Sequence, residues 1–187
     1  MTEVIAALRK EHANISQLLD ILERQVAIFD RGGSPDYSIV EAAIDYFQSY
    51  PGLYHHPKED LVYQKLQQRD PAAAERVGDL RQEHEELAAR TRDFAVGVQA
   101  VLDEAQVPRV SFGEWAHRFI QFQRDHMNHE ERFFLPAART ALTREDWEDI
   151  RARATDQEDP LFGEEVGGRY EALRRNILQW EQESGGA

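Results

Sequence analysis

The chain has 187 residues, of which 41% are hydrophobic and 30% charged, a composition typical of one globular domain with a sizeable core. Its 35 acidic and 22 basic residues give a formal net charge of −13, which disfavours nucleic acid and anionic lipid surfaces as partners. The absence of cysteine excludes disulfides, thiolate metal sites and cysteine nucleophiles. We find no transmembrane stretch and no secretory signal, so we expect a cytoplasmic protein.

The first two predicted helices each carry a histidine on the face expected to be buried. The first runs from about Thr2 to Asp30, with apolar residues at alternating steps of three and four, the pattern of a helix packed in a bundle. His12 occupies one slot of this apolar seam. The second runs from about Asp36, a good N-cap, to Arg69, and Pro51 and Pro57 are expected to bend it.

The third and fourth predicted helices complete a bundle. The third follows the Asp70-Pro71 turn and runs to about Glu104, and the fourth begins at a capping box at Ser111 and ends near Arg139. The seam of the fourth contains Trp115, Phe119, Phe122, His126, His129 and Phe133. Short connections imply antiparallel neighbours. We therefore predict an all-α fold, an antiparallel up-down-up-down four-helix bundle over residues 1–140.

A C-terminal helical extension over residues 141–187 is predicted to follow the bundle. A capping sequence at Thr143 opens a short helix, Asp159-Pro160 ends it, and a last helix surrounds Tyr170 to Trp180. We expect these pieces to pack on the bundle or to form the surface of a homodimer.

One histidine from each long helix lies in a core position, and the four are His12, His55, His84 and His126. At a rise of ~1.5 Å per residue, all four lie roughly 15–20 Å from the same end of an antiparallel bundle. Glu59 and Glu130 each follow one of these histidines by four residues and share its helix face. Burying these six side chains together would be costly without a cation, and six ligands suit two metal ions better than one tetrahedral zinc. The alternative is a set of ordinary core histidines and solvated glutamates.

Other polar residues flank these six. His56 points about a quarter turn away from His55, so we interpret it as a neighbour of the metal ligands or a surface residue. His129 lies one turn beyond His126, and we interpret it as a neighbour of the ligands, with direct metal binding as the alternative. Asp60 and Glu131 are candidates to hydrogen-bond the ligands, although solvent contact is the simpler interpretation. Tyr54 is a candidate redox or hydrogen-bonding residue, with core packing as the simpler role. His117 lies off the seam, at the surface.

The motifs that carry these residues are EH at 11–12, HHPKED at 55–60, EHEEL at 83–87 and HMNHEERFFLP at 126–136. Over residues 2–140 they closely resemble the hemerythrin-like (HHE cation-binding) domain. The resemblance implies a non-heme di-iron centre with oxo or hydroxo and carboxylate bridges, whose ligands are His12, His55, Glu59, His84, His126 and Glu130. Zinc or manganese are the expected substitutes in a purified sample.

The chain departs from the oxygen-carrying hemerythrins at two positions. Those proteins have a second histidine four residues after the helix-three histidine, where this chain has Ala88, and an aspartate where it has Glu131. The departures disfavour reversible oxygen carriage. We therefore predict a metal-binding protein that binds or senses O₂, NO or peroxide, or handles iron. The alternatives are a di-iron oxidoreductase, an iron donor in oxidative or nitrosative stress repair, and an iron store.

Overall fold

The computed structural model describes residues 2–103, 109–155 and 157–185. Within these ranges the chain is helical and has no β-strand. The α-helices are α1 (Glu3–Asp30), α2 (Tyr37–Tyr50), α3 (His56–Arg69), α4 (Pro71–Val77), α5 (Leu80–Leu102), α6 (Arg109–His129), α7 (Leu135–Ala141), α8 (Arg144–Arg153) and α9 (Glu171–Gly185). π-Helical turns at Pro51–His55 and Glu130–Phe134 join α2 to α3 and α6 to α7, and a 3₁₀ turn at Gly168–Tyr170 leads into α9.

Four helical rods form the bundle. They are α1, the continuous α2–α3 rod, α5, and the continuous α6–α7 rod. α1 contacts α2 and α6, and α5 contacts the same two helices, so the rods close a four-cornered ring. The predicted all-α bundle is therefore confirmed. None of the described helices combines the length and the apolar character needed to cross a lipid bilayer.

Two predicted helix starts agree with the structure. The Asp36 side chain accepts hydrogen bonds from the backbone N–H groups of Ser38 and Ile39 at the start of α2. The Thr143 side chain accepts from the backbone of Asp146, whose carboxylate accepts from the backbone of Thr143 in return. These bonds satisfy N–H groups that the first turn of a helix leaves without a partner, so both helices begin where their capping residues stand.

The predicted third and fourth helices need correction. The third is broken, because Gly78 adopts φ +90° and Asp79 caps a new helix by accepting from the backbone N–H of Gln82. α4 and α5 are therefore separate. The fourth is already helical at Arg109, so Ser111 lies inside it and is not its N-cap. The predicted end of the third helix near Glu104 lies outside the described residues.

The buried face of the α6–α7 rod also differs from the predicted seam. Trp115 and Phe133 are 40% and 54% exposed, whereas Ala116, Gln123 and Phe134 are buried. The prediction favoured the aromatic positions. Packing against α1 and α5 instead buries a small residue, Ala116, and a polar one, Gln123, because the face of α6 that meets those helices includes their positions.

The apolar core falls into two clusters separated by a polar layer. The large cluster surrounds Leu22, Tyr46 and Phe119, and it includes Leu173 and Ile177 of α9. The small cluster lies at the other end of the bundle and joins Leu8, Val62, Leu66, Leu80, Phe134 and Ile150. The described C-terminal segments therefore share the core of the bundle. The Tyr46 hydroxyl secures one of them by donating to Asp159 Oδ2 at 2.9 Å.

Candidate metal centre

Six polar side chains meet in the layer between the two clusters. They are His12, His55, Glu59, His84, His126 and Glu130, and none of these residues is more than 7% exposed. Each of the four rods contributes at least one of them. The structure thus brings together all six residues predicted as ligands, while their binding of metal remains a prediction.

Each of the two glutamates lies between imidazoles of different rods. Glu59 Oε1 is 3.3 Å from His12 Nε2, and Glu59 Oε2 is 3.4 Å from His55 Nε2 and 3.5 Å from His84 Nε2. Glu130 Oε1 is 3.2 Å from His126 Nε2 and 3.5 Å from His84 Nε2, and its Oε2 is 3.3 Å from His12 Nε2. Both carboxylates are therefore placed to bridge two positions in the layer.

Within the part of the chain that the structure describes, the inward atoms of these side chains lack hydrogen-bond partners. They are Nε2 of His12, His84 and His126, together with both carboxylate oxygens of Glu59 and of Glu130. A buried polar atom without a partner costs about 1–3 kcal/mol, so a concentration of such atoms facing one another is unfavourable in a protein interior. Cations that accept their lone pairs would satisfy all of them, and this donor set fits metal ions.

A ring of carboxylates holds the same imidazoles from outside. The Nδ1 atom of each of the four histidines lies 2.7–3.0 Å from a carboxylate oxygen. The pairs are His12 with Glu131, His55 with Glu11, His84 with Asp60, and His126 with Glu83. The first rod supports the histidine of the second, the second that of the third, and the third that of the fourth, whose own carboxylate supports the histidine of the first. These contacts therefore form a closed circle around the bundle. A carboxylate on Nδ1 fixes ring orientation and leaves Nε2 free to bind metal.

This ring was only partly anticipated. Asp60 and Glu131 contact histidines directly. The interpretation that they hydrogen-bond the ligands is therefore correct, and the simpler one, contact with solvent alone, was wrong. Glu11 and Glu83 were given no role. The available signal is that each of these four acidic residues is the immediate sequence neighbour of a predicted ligand. What the sequence does not reveal is that each supports a histidine on a different helix.

The pKa values describe a layer that attracts positive charge. Burial lowers the pKa of His12, but Glu130, Glu131 and Glu59 outweigh it and raise the value to about 12. Burial also lowers the pKa of His84, but Asp60 and Glu130 outweigh it and raise the value to about 11. For Glu59, burial and the charge of Glu130 raise the pKa, yet the histidines lower it to about 2. Without metal, therefore, protons occupy the positions that cations would take.

The charges of these contacts fit two divalent ions. Six carboxylates belong to the layer or to its outer ring, namely Glu11, Glu59, Asp60, Glu83, Glu130 and Glu131. Two of them pair with cations, since Lys58 Nζ is 2.7 Å from Glu11 and Arg9 Nε is 2.9 Å from Glu131. With neutral imidazoles, these groups leave four negative charges, which two divalent cations would neutralise.

His56 lies closer to the centre than predicted. Its ring stacks on that of His84, with centroids 4.3 Å apart and planes 10° apart. One of its ring nitrogens lies within 4.8 Å of donor atoms of Glu59, His84 and His126. Burial and the neighbouring imidazoles hold the pKa of His56 well below its usual value, so its ring is neutral and able to bind metal. His56 is thus a candidate seventh ligand.

The donors form two groups that share one glutamate. The first comprises His56, Glu59, His84 and His126, and the second His12, His55, Glu59 and Glu130. Both π-turns abut these residues, since the first ends at His55 and the second begins at Glu130. A π-turn has more residues per turn than an α-helix, so successive residues diverge less around the axis. This geometry lets His55 and His56 both approach the interior.

The other flanking residues named from the sequence do not belong to either donor group. His129 Nδ1 is 3.5 Å from the Glu83 carboxylate that also accepts from His126. Tyr54 is half-buried and packs on the ring of Tyr50, with centroids 5.6 Å apart. His117 is exposed, as predicted, and pairs with Asp30 at 2.8 Å.

Comparison with known proteins provides one match. The sequence profile of the family described as hemerythrin HHE cation binding domain matches residues 3–138, about three quarters of the chain. No curated protein and no solved structure matches the chain. The matched region contains all the residues of the polar layer and of the carboxylate ring.

Proposed function

The chain belongs to the hemerythrin HHE cation-binding family, and from this premise we propose that it holds two iron ions and uses them to bind or sense a small ligand such as O₂, NO or peroxide. Cation binding is the property that the family description carries. The observation that supports the proposal best is that, among the described residues, seven buried donor atoms face one another without hydrogen-bond partners.

Two ions are favoured over one by the arrangement of the donors. Glu59 belongs to both donor groups, and Glu130 faces His126 with one oxygen and His12 with the other. A carboxylate that presents its two oxygens to imidazoles of different groups is suited to bridge two ions. A single ion would leave several of these donors buried and unpaired, at about 1–3 kcal/mol each.

Iron is favoured by the donor types. Imidazole and carboxylate together suit iron, manganese and zinc, and helical bundles hold di-iron and di-manganese sites with such ligands. A bound pair of iron ions would supply open positions for a small ligand and a change of oxidation state. The chain's own residues would hold and orient that pair. Burial raises the pKa of Glu11, but His55 and Lys58 outweigh it and lower the value. Hydrogen bonds to His126 and His12 lower the pKa values of Glu83 and Glu131. These three carboxylates are therefore ionised and hold the proton on Nδ1.

Metal analysis of anaerobically purified protein tests the proposal. We expect about two iron ions per chain and a Mössbauer spectrum of a magnetically coupled pair. Adding O₂ or NO to the reduced protein should change that spectrum at stoichiometric amounts. His84→Ala should lose at least one ion, whereas His117→Ala, at an exposed histidine, should keep both. Full metal content in His84→Ala, or one isolated ion in the wild type, would contradict the proposal.

A further inference from the structure

A cavity of about 230 Å³ lies beside the metal centre, between α2 and α5. It opens to solvent between the exposed residues Gln48, Gly52 and Arg92. It ends against His56, whose ring stacks on His84. The volume is many times what one water molecule or a diatomic ligand requires. The cavity therefore has room for a larger molecule next to the centre.

The inner end of the cavity contains a polar group that has no partner. Gln123 is only 6% exposed and lines the cavity, and no hydrogen bond within the described part of the chain engages its carboxamide. Thr91 lines it as well, and its hydroxyl donates to the Leu87 carbonyl at 2.8 Å, which leaves the oxygen free to accept. The carboxamide atoms are reached from the cavity, so a polar ligand can take the place of the water that would otherwise hydrogen-bond them.

The rest of the wall is mostly apolar. Phe47, Leu87 and Ala88 line it, and Ala88 follows His84 by one helical turn on the same face of α5. Only the small alanine side chain stands there, so the space beside His84 stays open. An apolar wall with a polar inner end suits a ligand with an oxygen at one end and a short alkyl tail.

We propose that this cavity binds a neutral short-chain alkyl hydroperoxide, with its O–O–H end at Gln123 and Thr91 and its tail along Phe47 and Ala88. A hydroperoxide can accept a hydrogen bond from the amide and donate one to the threonine oxygen. The net charge of −13 favours a neutral ligand over an anion, and the one arginine that lines the cavity, Arg92, is exposed to solvent, which screens its charge. The proposal rests on the proposed metal centre, since it places the ligand beside that centre.

Binding can be measured without reaction in zinc-loaded protein, because zinc has no redox chemistry. The probe is tert-butyl hydroperoxide, and the readout is saturation transfer from the protein to its methyl protons in NMR spectra. We expect transfer in the wild type and in Ala89→Leu, the matched control next along the helix. We expect it to be lost in Ala88→Leu, which fills the cavity. Equal transfer in Ala88→Leu and the wild type would overturn the proposal.

Two further variants test the polar end and the class of ligand. Gln123→Leu should weaken binding about tenfold by removing the donor, whereas Gln121→Leu, exposed on the same helix, should not. Arg92→Gln should leave binding unchanged, and isobutyrate, an anion of similar size, should bind at least about tenfold more weakly. Unchanged affinity in Gln123→Leu, or isobutyrate binding as tightly as the hydroperoxide, would contradict the proposal.

Metal content, measured in the same samples, separates the two hypotheses. A wild type that cannot hold two metal ions contradicts the proposed function. A wild type that is fully loaded, and that shows the same probe binding as loaded Ala88→Leu, contradicts the cavity proposal alone.

Discussion

The polar layer and the large apolar cluster are stabilised in opposite ways. Leu18, Leu19 and Leu22 of the large cluster are fully buried, and burial of apolar area stabilises a fold by about 25 cal/mol per Å² with no ligand present. In the polar layer, Glu59 and Glu130 are equally buried, but burying their charges is unfavourable unless cations accompany them. The stability of the layer should therefore depend on metal, and that of the cluster should not.

Glu130→Ala should produce the largest difference between the regions. It removes a carboxylate that faces three of the histidines, so metal content should fall by at least one ion per chain. Metal at about 1,000 times its Kd contributes about 4 kcal/mol to stability, and the variant should lose a comparable amount. Melting curves with and without chelator check this. If the variant kept its full metal content, and chelator still lowered its melting temperature as in the wild type, the proposed difference between the polar layer and the apolar cluster would be contradicted.

Leu22→Ala should give the opposite pattern. Its side chain is fully buried in the large cluster, so truncation should cost about 2–5 kcal/mol of unfolding free energy. The cost should be the same with and without chelator, and metal content should be unchanged. Denaturant unfolding measures it. Leu53→Ala, at a leucine 61% exposed, is the control and should change stability by less than about 0.5 kcal/mol. A loss of metal in Leu22→Ala would show that the two regions are coupled.

Raising the pH should destabilise only the metal-free protein. Although burial lowers it, the pKa of His126 in the folded protein is raised to about 9 by Glu130 and Glu83, against about 6.5 in the unfolded chain. A raised folded pKa contributes stability that is fully present below the unfolded value and lost as pH rises through the folded value. The Tm of chelated protein should therefore begin to fall near pH 7 and fall on through pH 9, and the higher pKa values of His84 and His12 extend the fall above pH 10. In metal-loaded protein the Nε2 atoms would bind ions in place of protons, so the fall should be absent, and parallel curves would contradict this account.

Glu83→Gln should have the smallest of these effects. It removes the charge that holds His126 Nδ1 while keeping the size of the side chain. Loss of such outer support typically weakens metal affinity by about 10–100-fold. Competition with a chelator of known affinity measures the change. Glu85→Gln, at an exposed position of the same helix, should leave affinity unaltered and serves as the matched control.

Spacing along single helices was enough to find the six central residues. Seam periodicity located His12, His55, His84 and His126, and the separation of four residues located Glu59 and Glu130. The rise per residue then predicted that they share one depth. These steps succeed because the geometry of a helix is nearly the same in every protein.

The contacts between rods could not be predicted in this way. Nothing in local spacing tells that Glu11 supports His55, or that Glu83 supports His126, because each pair joins two rods. His56 was interpreted as a neighbour of the ligands or a surface residue, and not as a ligand, because an α-helical turn was assumed where the structure has a π-turn. Trp115 is exposed, but it was predicted to lie in the core because large aromatic side chains are usually buried and the positions of the neighbouring rods were not known.

The sequence by itself determined the helical class, the depth of the polar layer and the residue types available to bind cations, since these follow from periodicity and chemistry within each helix. Only the tertiary structure decided which carboxylate supports which imidazole, that His56 reaches the layer, and that a cavity opens beside Ala88. These features depend on how far apart the rods lie and how each is rotated about its axis, and those quantities are set by the packing of the whole bundle.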